Sequence, residues 1–239
     1  MSYRAAIFDM DGTVLDTLED LKDAINYTFG KLGRKNDFTY EDAKLLFGSG
    51  VSVAIRRALA MELKLAEGYD LLKIGTEKDD ISSRLDSGIL SEAEEIYKPY
   101  YKAHNDIKTG EYPGITKLIL DLREKGVKTA VVSNKPDSSV RVLTEKLFPD
   151  LFSVYIGEKE GIRRKPAPDM TLQALKELDA DIKDSVYIGD SEIDLLTAEN
   201  VGIDCIAVTW GFRNRKFLEE HGATLIAETA EEIKNLILS

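Results

Sequence analysis

The sequence predicts an α/β protein in which a doubly wound parallel sheet carries an all-helical domain inserted after its first strand. From residue 115 onward, short apolar runs rich in Val and Ile alternate with segments of helical period. This alternation is typical of a parallel sheet with helical crossovers. Residues 16–114, by contrast, contain amphipathic helical patterns and no convincing strand. Because so long a segment is not a simple crossover, we interpret it as an inserted helical domain.

Six short apolar runs are the predicted strands, and they cover residues 4–8, 127–133, 154–157, 185–189, 203–208 and 224–227. The helical patterns between the later strands are ITKLILDLREKG, PDSSVRVLTEKLF, PDMTLQALKELDA and SEIDLLTAENVG. Those of the insertion are LEDLKDAINYTFGKLG, YEDAKLLFG, GVSVAIRRALAMELKLAEGYDLL and ILSEAEEIYKPYYKAHNDI. We therefore assign residues 1–15 and 107–239 to the α/β core and residues 16–106 to the helical domain.

The composition narrows the classes of function. Hydrophobic residues make up 43% of the chain and charged residues 31%, which is ordinary for a globular protein. A net charge of -11 with no basic stripe argues against nucleic acid as a partner. Cys205 is the single cysteine, so the chain has neither an internal disulfide nor a thiolate metal cluster. The start MSYRAAIFDMDG lacks a signal-peptide pattern, so we expect a cytoplasmic protein without a membrane partner.

The stretch AAIFDMDGTVLDT places two carboxylates, Asp9 and Asp11, directly after the first apolar run. Side chains of an extended chain repeat with a period of two, so both can project to one side where the strand leaves the sheet. Two like charges at such close spacing repel each other unless a cation neutralises them, and a divalent cation suits carboxylate ligands.

Three further motifs follow later strands: VVSNK at 131–135, RKPAPD at 164–169 and GDSEID at 189–194. Each alone has an ordinary explanation as a turn, a helix cap or a stiff loop. Open α/β sheets bind ligands at the carboxyl ends of their strands, however, and these motifs belong at that edge. Together they supply the parts needed for phosphoryl transfer: a nucleophile, a proton shuttle, phosphate-binding groups and metal ligands.

The order DxDGT, Ser-Asn, Lys-Pro and GDxxxD resembles the four motifs of the haloacid dehalogenase (HAD) superfamily of aspartate-nucleophile phosphatases. The helical insertion after the first motif is similar to the cap domains of that family, and the resemblance covers essentially the whole chain. It implies a HAD-type Rossmann-like core and a phosphomonoester hydrolase that forms an aspartyl-phosphate. The expected partner is a small phosphorylated metabolite.

The resemblance also implies catalytic roles. Asp9 would attack phosphorus, and the ordinary aspartate pKa of about 3.9 predicts that it is ionised without help from a base. Asp11 would protonate the leaving alkoxide and then activate water. Ser133 and Asn134 would bind the phosphate, and Lys165 would hold the phosphate and anchor Asp9.

The implied cofactor is Mg²⁺, held through oxygen atoms alone. The resemblance assigns as ligands the carboxylates of Asp9 and Asp190 and the backbone carbonyl of Asp11. Asp194 would support the site from outside the ligand sphere. With the cation in place, the repulsion between Asp9 and a phosphate dianion would be removed.

Substrate choice depends on the cap, where the predicted contacts are Gly50, Val51 and Ser52 at a helix start, with Arg56 or Arg57 assisting. Free amides and the helix dipole there can receive a carboxylate. The segments LLFGSGVSVAIRRAL, EYPGITKLILDL and VTWGFRNRKFLEEHGAT resemble the phosphoglycolate phosphatase branch. Alternatives at this stage are a mutase of the β-phosphoglucomutase type, a pyrophosphatase, a sugar phosphatase or a binding module without activity. The oligomeric state stays open.

Overall fold

The computed structural model describes residues 3–65 and 68–239. The chain divides into two units, one formed by Met1–Asp16 with Gly110–Ser239 and the other by Thr17–Thr109. The sequence analysis placed the joins at residues 15/16 and 106/107, one and three residues away from these bounds. No helix of the described residues combines the length and apolar character needed to span a membrane.

A six-stranded parallel sheet forms the centre of the first unit, which confirms the predicted fold class. Its strands are β1 (Ala5–Phe8), β4 (Lys128–Pro136), β5 (Val154–Glu158), β6 (Ser185–Gly189), β7 (Asp204–Val208) and β8 (Leu225–Ala227). Their order across the sheet is β5-β4-β1-β6-β7-β8. Since the chain winds outward from β1 first to one side and later to the other, the direction of winding reverses beside β1. Ligands of open α/β sheets bind at such a reversal.

Apolar side chains cover both faces of the sheet. Ala6 and Phe8 of β1 belong to one hydrophobic cluster, whereas Ala5 and Ile7 belong to another, as the period of two requires. Helices cover the first cluster with α5 (Ile115–Glu124), α6 (Asp137–Leu147) and α10 (Ala230–Leu238), and the second with α7 (Asp169–Glu177) and α8 (Glu192–Val201). All four residues of β1 are fully buried, so this strand is apolar throughout.

Several elements of the first unit were not predicted. A two-stranded antiparallel pair joins β2 (Leu15–Asp16) to β3 (Gly110–Glu111), so the interval predicted to lack strands does contain one. Two-residue strands carry no detectable sequence period, which explains the omission. Helix α10 and the short helix α9 (Arg215–Glu220) were also omitted.

The regular elements described in the second unit are helices: α1 (Leu18–Lys31), α2 (Tyr40–Leu46), α3 (Val51–Glu62) and α4 (Ser87–His104), with 3-10 turns at Leu71–Lys73 and Ser82–Arg84. The predicted helical segment 50–72 is shorter in the structure, since α3 ends at Glu62. Lys64 has a left-handed φ of 54° just beyond this end, which a continuing helix excludes. Residues 66–67 of the predicted segment lie outside the described residues.

Asp20 is a buried carboxylate in α1 that orders the end of the second unit. Its side chain accepts hydrogen bonds from the backbone N–H groups of Ile107, Lys108 and Thr109 and from the Thr109 hydroxyl, at 2.8–3.1 Å. It is only 4% exposed. A buried carboxylate that accepts several N–H groups satisfies donors that would otherwise lack partners. Asp20 therefore ties the last residues of this unit to its first helix.

We predict that Asp20→Ala lowers the free energy of unfolding by about 1–3 kcal/mol, because it leaves buried N–H groups without an acceptor. Urea unfolding followed by circular dichroism measures the change. The matched control is Asp23→Ala, because Asp23 makes a surface ion pair with Lys108 at 2.6 Å. Such a pair contributes about 0–1 kcal/mol. Equal losses of unfolding free energy in the two variants would contradict the conclusion that Asp20 ties the end of this unit to its first helix.

Candidate active site

Three neighbouring strands carry predicted motifs at the same level of the sheet: β1 and β6 end there, and the motif of β4 forms the last part of that strand. Phe8 of β1 pairs in register with Val131 of β4 on one side and with Ile188 of β6 on the other. The motif residues that follow these three positions within two residues are Asp9, Ser133 and Asp190. The parallel register therefore brings together groups that are far apart in the sequence.

Lys165 lies at the centre of the site, on the loop between β5 and α7. Its ammonium contacts Asp9 Oδ1 at 2.8 Å and Asp194 Oδ1 at 2.8 Å. It also donates to the Tyr187 hydroxyl at 3.1 Å, and that hydroxyl donates to the Val132 carbonyl at 3.3 Å. Because an ammonium has three donors, these three acceptors fix its position. The sequence predicted the contact with Asp9 but not the contribution of Tyr187.

Asp194 organises the start of α8. Its Oδ2 accepts from the N–H groups of Asp190 and Ser191, at 3.2 and 3.1 Å, and from the Ser191 hydroxyl at 2.8 Å. Its Oδ1 contacts Lys165. Both oxygens of Asp194 are therefore used within the chain, and they connect the GDSEID motif to the Lys165 ammonium.

Asp190 is held from two sides. The Thr13 hydroxyl donates to its Oδ1 at 3.0 Å, and the backbone N–H of Phe212 donates to its Oδ2 at 2.7 Å. The Trp210 indole in turn donates to the Thr13 carbonyl at 3.1 Å. The VTWGFR segment, used in the sequence analysis only for its resemblance, thus supports this carboxylate.

Two glycines allow backbone to approach Asp190 closely. A Cβ on Gly12, whose φ is +85°, would lie 2.3 Å from Asp190 Oδ2, and one on Gly211 would lie 2.4 Å from the same atom. Contacts this short exclude any side chain. Glycine at these two positions therefore lets the backbone pack directly against the Asp190 carboxylate.

Burial changes the ionisation of these groups. Burial raises the pKa of Asp9 well above its ordinary value, the Lys165 ammonium opposes that rise, and Asp194 and Asp190 add to it. Burial, reinforced by the charge of Asp194, raises the pKa of Asp190 to about 7. The ordinary aspartate pKa used in the sequence analysis therefore does not apply to Asp9. Its ionised form depends on positive charge nearby.

The carboxylates fit a divalent cation. Oxygens of Asp9, Asp190 and Asp194, all buried, lie within 4.8 Å of one another. Among the described contacts of the site, Asp11 adds a fourth carboxylate, and Lys135 and Lys165 supply two ammonium groups. Two negative charges thus remain, which one divalent cation would neutralise. Hard carboxylate oxygens without sulfur or imidazole ligands suit such an ion.

The motif at the end of β4 contributes both backbone and side-chain contacts. The backbone N–H of Lys135 donates to the Ser133 hydroxyl at 3.2 Å. The side-chain amide of Asn134 donates to the Lys165 carbonyl at 3.1 Å. Of the two predicted phosphate-binding residues, Ser133 therefore has its hydroxyl oriented by the backbone of β4, while Asn134 uses its side chain to hold the loop that carries Lys165.

Lys135 is a site residue that the sequence analysis missed. Its ammonium lies 3.1 Å from Asp11 Oδ1, and its side chain is 2% exposed. Residues 133 and 135 of an extended strand point to one side, by the same period of two that was applied to Asp9 and Asp11. Had that rule been extended to β4, it would have placed Lys135 beside Ser133.

The predicted cap residues lie together within the helical unit. Gly50, with a φ of +87°, directly precedes α3, which begins at Val51. The Ser52 hydroxyl donates to the Glu94 carboxylate. Although burial would raise the pKa of Glu94, hydrogen bonds from Lys98 and Ser52 and the charges of Lys98 and Arg56 lower it. The sequence analysis missed Glu94, which already places a negative charge beside Ser52. Binding of substrate by these residues stays a prediction.

Arg57, considered together with Arg56 as a substrate contact, has a different environment. It is 1% exposed. Its guanidinium donates to the carbonyls of Leu45, Leu46, Leu72 and Ile74 and to the Ser49 hydroxyl, at 3.1–3.3 Å. Arg57 therefore holds two backbone segments of the helical unit together.

Comparison with known proteins agrees with the motifs. The family model of haloacid dehalogenase-like hydrolases matches residues 6–208, a range that includes all four motifs. A phosphoglycolate phosphatase of Pseudomonas fluorescens is 28% identical over 226 residues, which are 94% of this chain and 76% of that protein. Phosphoglycolate phosphatase 1 of Pseudomonas aeruginosa is 28% identical over 231 residues, covering 96% of this chain and 78% of that protein.

A solved structure extends the likeness to the whole chain. It belongs to a protein of Lactobacillus delbrueckii subsp. bulgaricus that is provisionally named phosphoglycolate phosphatase. The two chains are 53% identical and cover 100% of each other, with a TM-score of 0.97. The family match, this likeness and the four motifs at one edge of the sheet confirm the resemblance first drawn from the sequence, and the chain belongs to the haloacid dehalogenase-like hydrolase family.

Proposed function

We propose that this protein is a Mg²⁺-dependent phosphomonoesterase that forms an aspartyl-phosphate on Asp9. The observation that carries the proposal is the contact between the buried Asp9 carboxylate and the buried Lys165 ammonium at 2.8 Å, beside two further carboxylates. This arrangement supplies a carboxylate nucleophile, a cation for the phosphate and a place for a metal ion. The inserted helical unit is proposed to act as the cap.

In the first step, Asp9 attacks phosphorus and the bond between phosphorus and the alkyl oxygen breaks. The N–H of Met10 and the Lys165 ammonium both contact Oδ1 of Asp9, and among the described residues none donates to Oδ2. That oxygen is therefore free to form the new bond. Asp11 takes up a proton from solvent when the phosphate dianion binds beside it, and it gives this proton to the departing alkoxide.

In the second step, water attacks the phosphorus of the aspartyl-phosphate. Asp11, now a carboxylate, takes a proton from this water. The bond between Asp9 and phosphorus breaks, inorganic phosphate leaves, and the Asp9 carboxylate is restored. Ser133 and the backbone amide of Asn134 hold the phosphate oxygens during both steps, and the positive charge of Lys165 attracts the phosphate.

A divalent cation bound by the carboxylates of Asp9 and Asp190 and the backbone carbonyl of Asp11 would neutralise charge between Asp9 and the phosphate. Asp194 is proposed to position this site and not to ligate directly. Its two oxygens already accept hydrogen bonds from Lys165, from Ser191 and from the N–H of Asp190. Residues that orient ligands in this way strongly affect metal affinity.

Phosphoglycolate is the proposed substrate. The support is the name shared by the relatives from two Pseudomonas species and the resemblance of three segments to that branch. The free amides at the start of α3, from Gly50 to Ser52, would receive the substrate carboxylate. Arg56 would add positive charge beside Glu94, whose carboxylate already pairs with Lys98.

A panel of phosphorylated metabolites, assayed for released phosphate with and without Mg²⁺, tests the function. We expect Mg²⁺-dependent phosphate release with the highest kcat/KM for phosphoglycolate. Accumulation of an isomerised sugar phosphate in place of inorganic phosphate would identify a mutase instead. If phosphate were released mainly from a different metabolite, the proposed reaction would stand and phosphoglycolate would be rejected as the substrate.

We predict that Asp9→Asn abolishes turnover and leaves the fold intact, because an amide oxygen is a poor nucleophile towards phosphorus. Steady-state phosphate release and circular dichroism measure the two effects in protein shown by mass spectrometry to be free of deamidation. The matched control is Asp121→Asn on α5, whose carboxylate pairs with Lys117 and Lys234, and it should retain wild-type activity. Substantial turnover by Asp9→Asn would reject the nucleophile assignment.

We predict that stabilisation by Mg²⁺ increases with pH near neutrality. The pKa of Asp190 is raised to about 7 in the folded protein, against about 3.9 in an unfolded chain. A raised acid pKa stabilises the metal-free protein below about pH 4, and this contribution is lost as the pH rises through about 7. Mg²⁺ replaces the proton and offsets the loss. The increase in Tm on adding Mg²⁺ should therefore be larger at about pH 8 than at about pH 5.

Thermal unfolding in Mg²⁺ or in EDTA at these two values of pH gives the measurement. Asp190→Asn removes the titrating group and should make the effect of Mg²⁺ on Tm small at both, whereas Asp121→Asn should behave as wild type. A Mg²⁺ effect on Tm that is independent of pH in the wild type would contradict the prediction.

We predict that Asp11→Asn lowers turnover of an alkyl phosphate on the order of 10²- to 10⁴-fold, the cost of losing a general acid and base. Nitrophenolate leaves without a proton, so nitrophenyl phosphate should still give a fast burst of nitrophenol. A slow steady rate should follow, because no base activates the water. Stopped-flow absorbance measures both phases, and Mg²⁺ affinity should be unchanged. A burst slowed as much as alkyl phosphate turnover would show that Asp11 is not the proton shuttle.

A further inference from the structure

Lys135 forms a buried ion pair within the active site that the proposed reaction has not yet used. Its ammonium lies 3.1 Å from Asp11 Oδ1. The Lys135 side chain is 2% exposed, whereas the Asp11 side chain is 18% exposed. Lys135 is therefore enclosed by the protein, whereas Asp11 is partly exposed to solvent.

The two oxygens of Asp11 have different surroundings. Oδ1, which faces Lys135, is buried and accepts no hydrogen bond from the described residues, so its contact with the Lys135 ammonium is an ion pair and not a hydrogen bond. The remaining exposure of the side chain therefore belongs to its other atoms, among them Oδ2. Since one carboxylate oxygen is enclosed beside an ammonium, the opposite oxygen is the one that can meet a leaving group or a water molecule.

The backbone also fixes the position of Lys135. It lies at the carboxyl end of β4, two residues beyond Ser133, and its N–H donates to the Ser133 hydroxyl at 3.2 Å. Strand β4 pairs directly with β1, from which Asp11 is reached within three residues. Lys135 and Asp11 thus lie just beyond the paired residues of two adjacent strands of the sheet.

We propose that Lys135 is a positioning residue that holds Asp11 Oδ1, so that Oδ2 transfers the proton in both steps. The inference rests on the proposed phosphatase reaction. Proton transfer requires the donor and acceptor to approach within about 2.6–3.2 Å, and an unrestrained aspartate samples several side-chain rotamers. The ion pair selects one of them. Because the same oxygen must first give and later take a proton, one fixed orientation serves both steps.

The effect of losing the ion pair on the reaction rate should depend on the leaving group of the substrate. Loss of the ion pair should slow steps that need Asp11 and leave attack by Asp9 unchanged. A Lys135→Met variant keeps the length of the side chain without its charge. We expect it to lower kcat for an alkyl phosphate by about 10- to 100-fold, as for other residues that orient reacting groups. The burst rate with nitrophenyl phosphate and KM should stay within about threefold of wild type. Lys135→Arg should restore part of the lost kcat.

The matched control is Lys128→Met at the opposite end of β4. The Lys128 ammonium donates to the carbonyls of Leu178 and Asp179 at 2.5 and 2.8 Å, so it anchors the strand outside the active site. This variant should keep both the alkyl phosphate rate and the nitrophenyl burst. The control therefore shows whether a slower reaction in Lys135→Met comes from losing the partner of Asp11 or from removing any lysine of β4.

A double-mutant cycle tests whether Lys135 acts through Asp11. In an Asp11→Asn background, Lys135→Met should have almost no further effect on alkyl phosphate turnover. The double variant also removes both charges together, so it avoids leaving one buried charge without its partner. Multiplication of the two single effects would overturn the proposal. So would a loss of the nitrophenyl burst or a large rise in KM in Lys135→Met, either of which would show that Lys135 contacts the phosphate itself.

A crystal structure of Lys135→Met tests the same inference without turnover. The Asp11 side chain should leave its wild-type rotamer or occupy more than one. An unchanged, fully ordered Asp11 would overturn the proposal even if the variant were slow. Wild-type protein that releases no phosphate from any substrate would instead reject the proposed function, and the crystallographic result would still decide whether Lys135 orients Asp11.

Discussion

The candidate active site depends on the contacts that the Lys165 ammonium makes with buried carboxylates. Asp9, Asp190 and Asp194 are buried within a few ångströms of one another, and their mutual repulsion would be costly without a compensating charge. Lys165 contacts two of them at 2.8 Å, and those two carboxylates raise its pKa well above the ordinary value although burial alone would lower it. The lysine therefore stays charged in an enclosed environment, where the attraction between opposite charges is strong.

The surrounding backbone supplies further hydrogen-bond donors to the carboxylates. N–H groups of Met10, Ser191 and Phe212 point at carboxylate oxygens of the site. These donors are fixed by the loops that leave the parallel strands, so the carboxylates are held in place by the backbone. Preorganisation of this kind explains why the site lies where the strand order reverses, since loops from several strands converge only there.

The helical unit uses buried polar groups in the same way for a different purpose. Arg57 binds carbonyls from two segments of this unit, and Asp20 binds N–H groups at the end of the unit. Both side chains are almost completely buried, and both satisfy backbone groups that would otherwise lack partners. Because the described helices of this unit are joined by irregular segments, such side chains take the place of a sheet in ordering it.

The sequence by itself determined the fold class, the order of the later strands and helices and the four motifs, because hydrophobic period and short polar patterns are local properties. It even placed Asp9, Ser133 and Asp190 at one edge, since parallel strands share a direction. Only the tertiary structure decided which residues complete the site of the α/β unit, namely Lys135 beside Asp11 and Tyr187 beside Lys165. In the helical unit, it alone placed Glu94 beside Ser52. It also decided that the ordinary pKa does not describe Asp9. Burial and partner charge depend on residues distant in sequence, and the sheet register and the loop paths that bring them together are not encoded in any single segment.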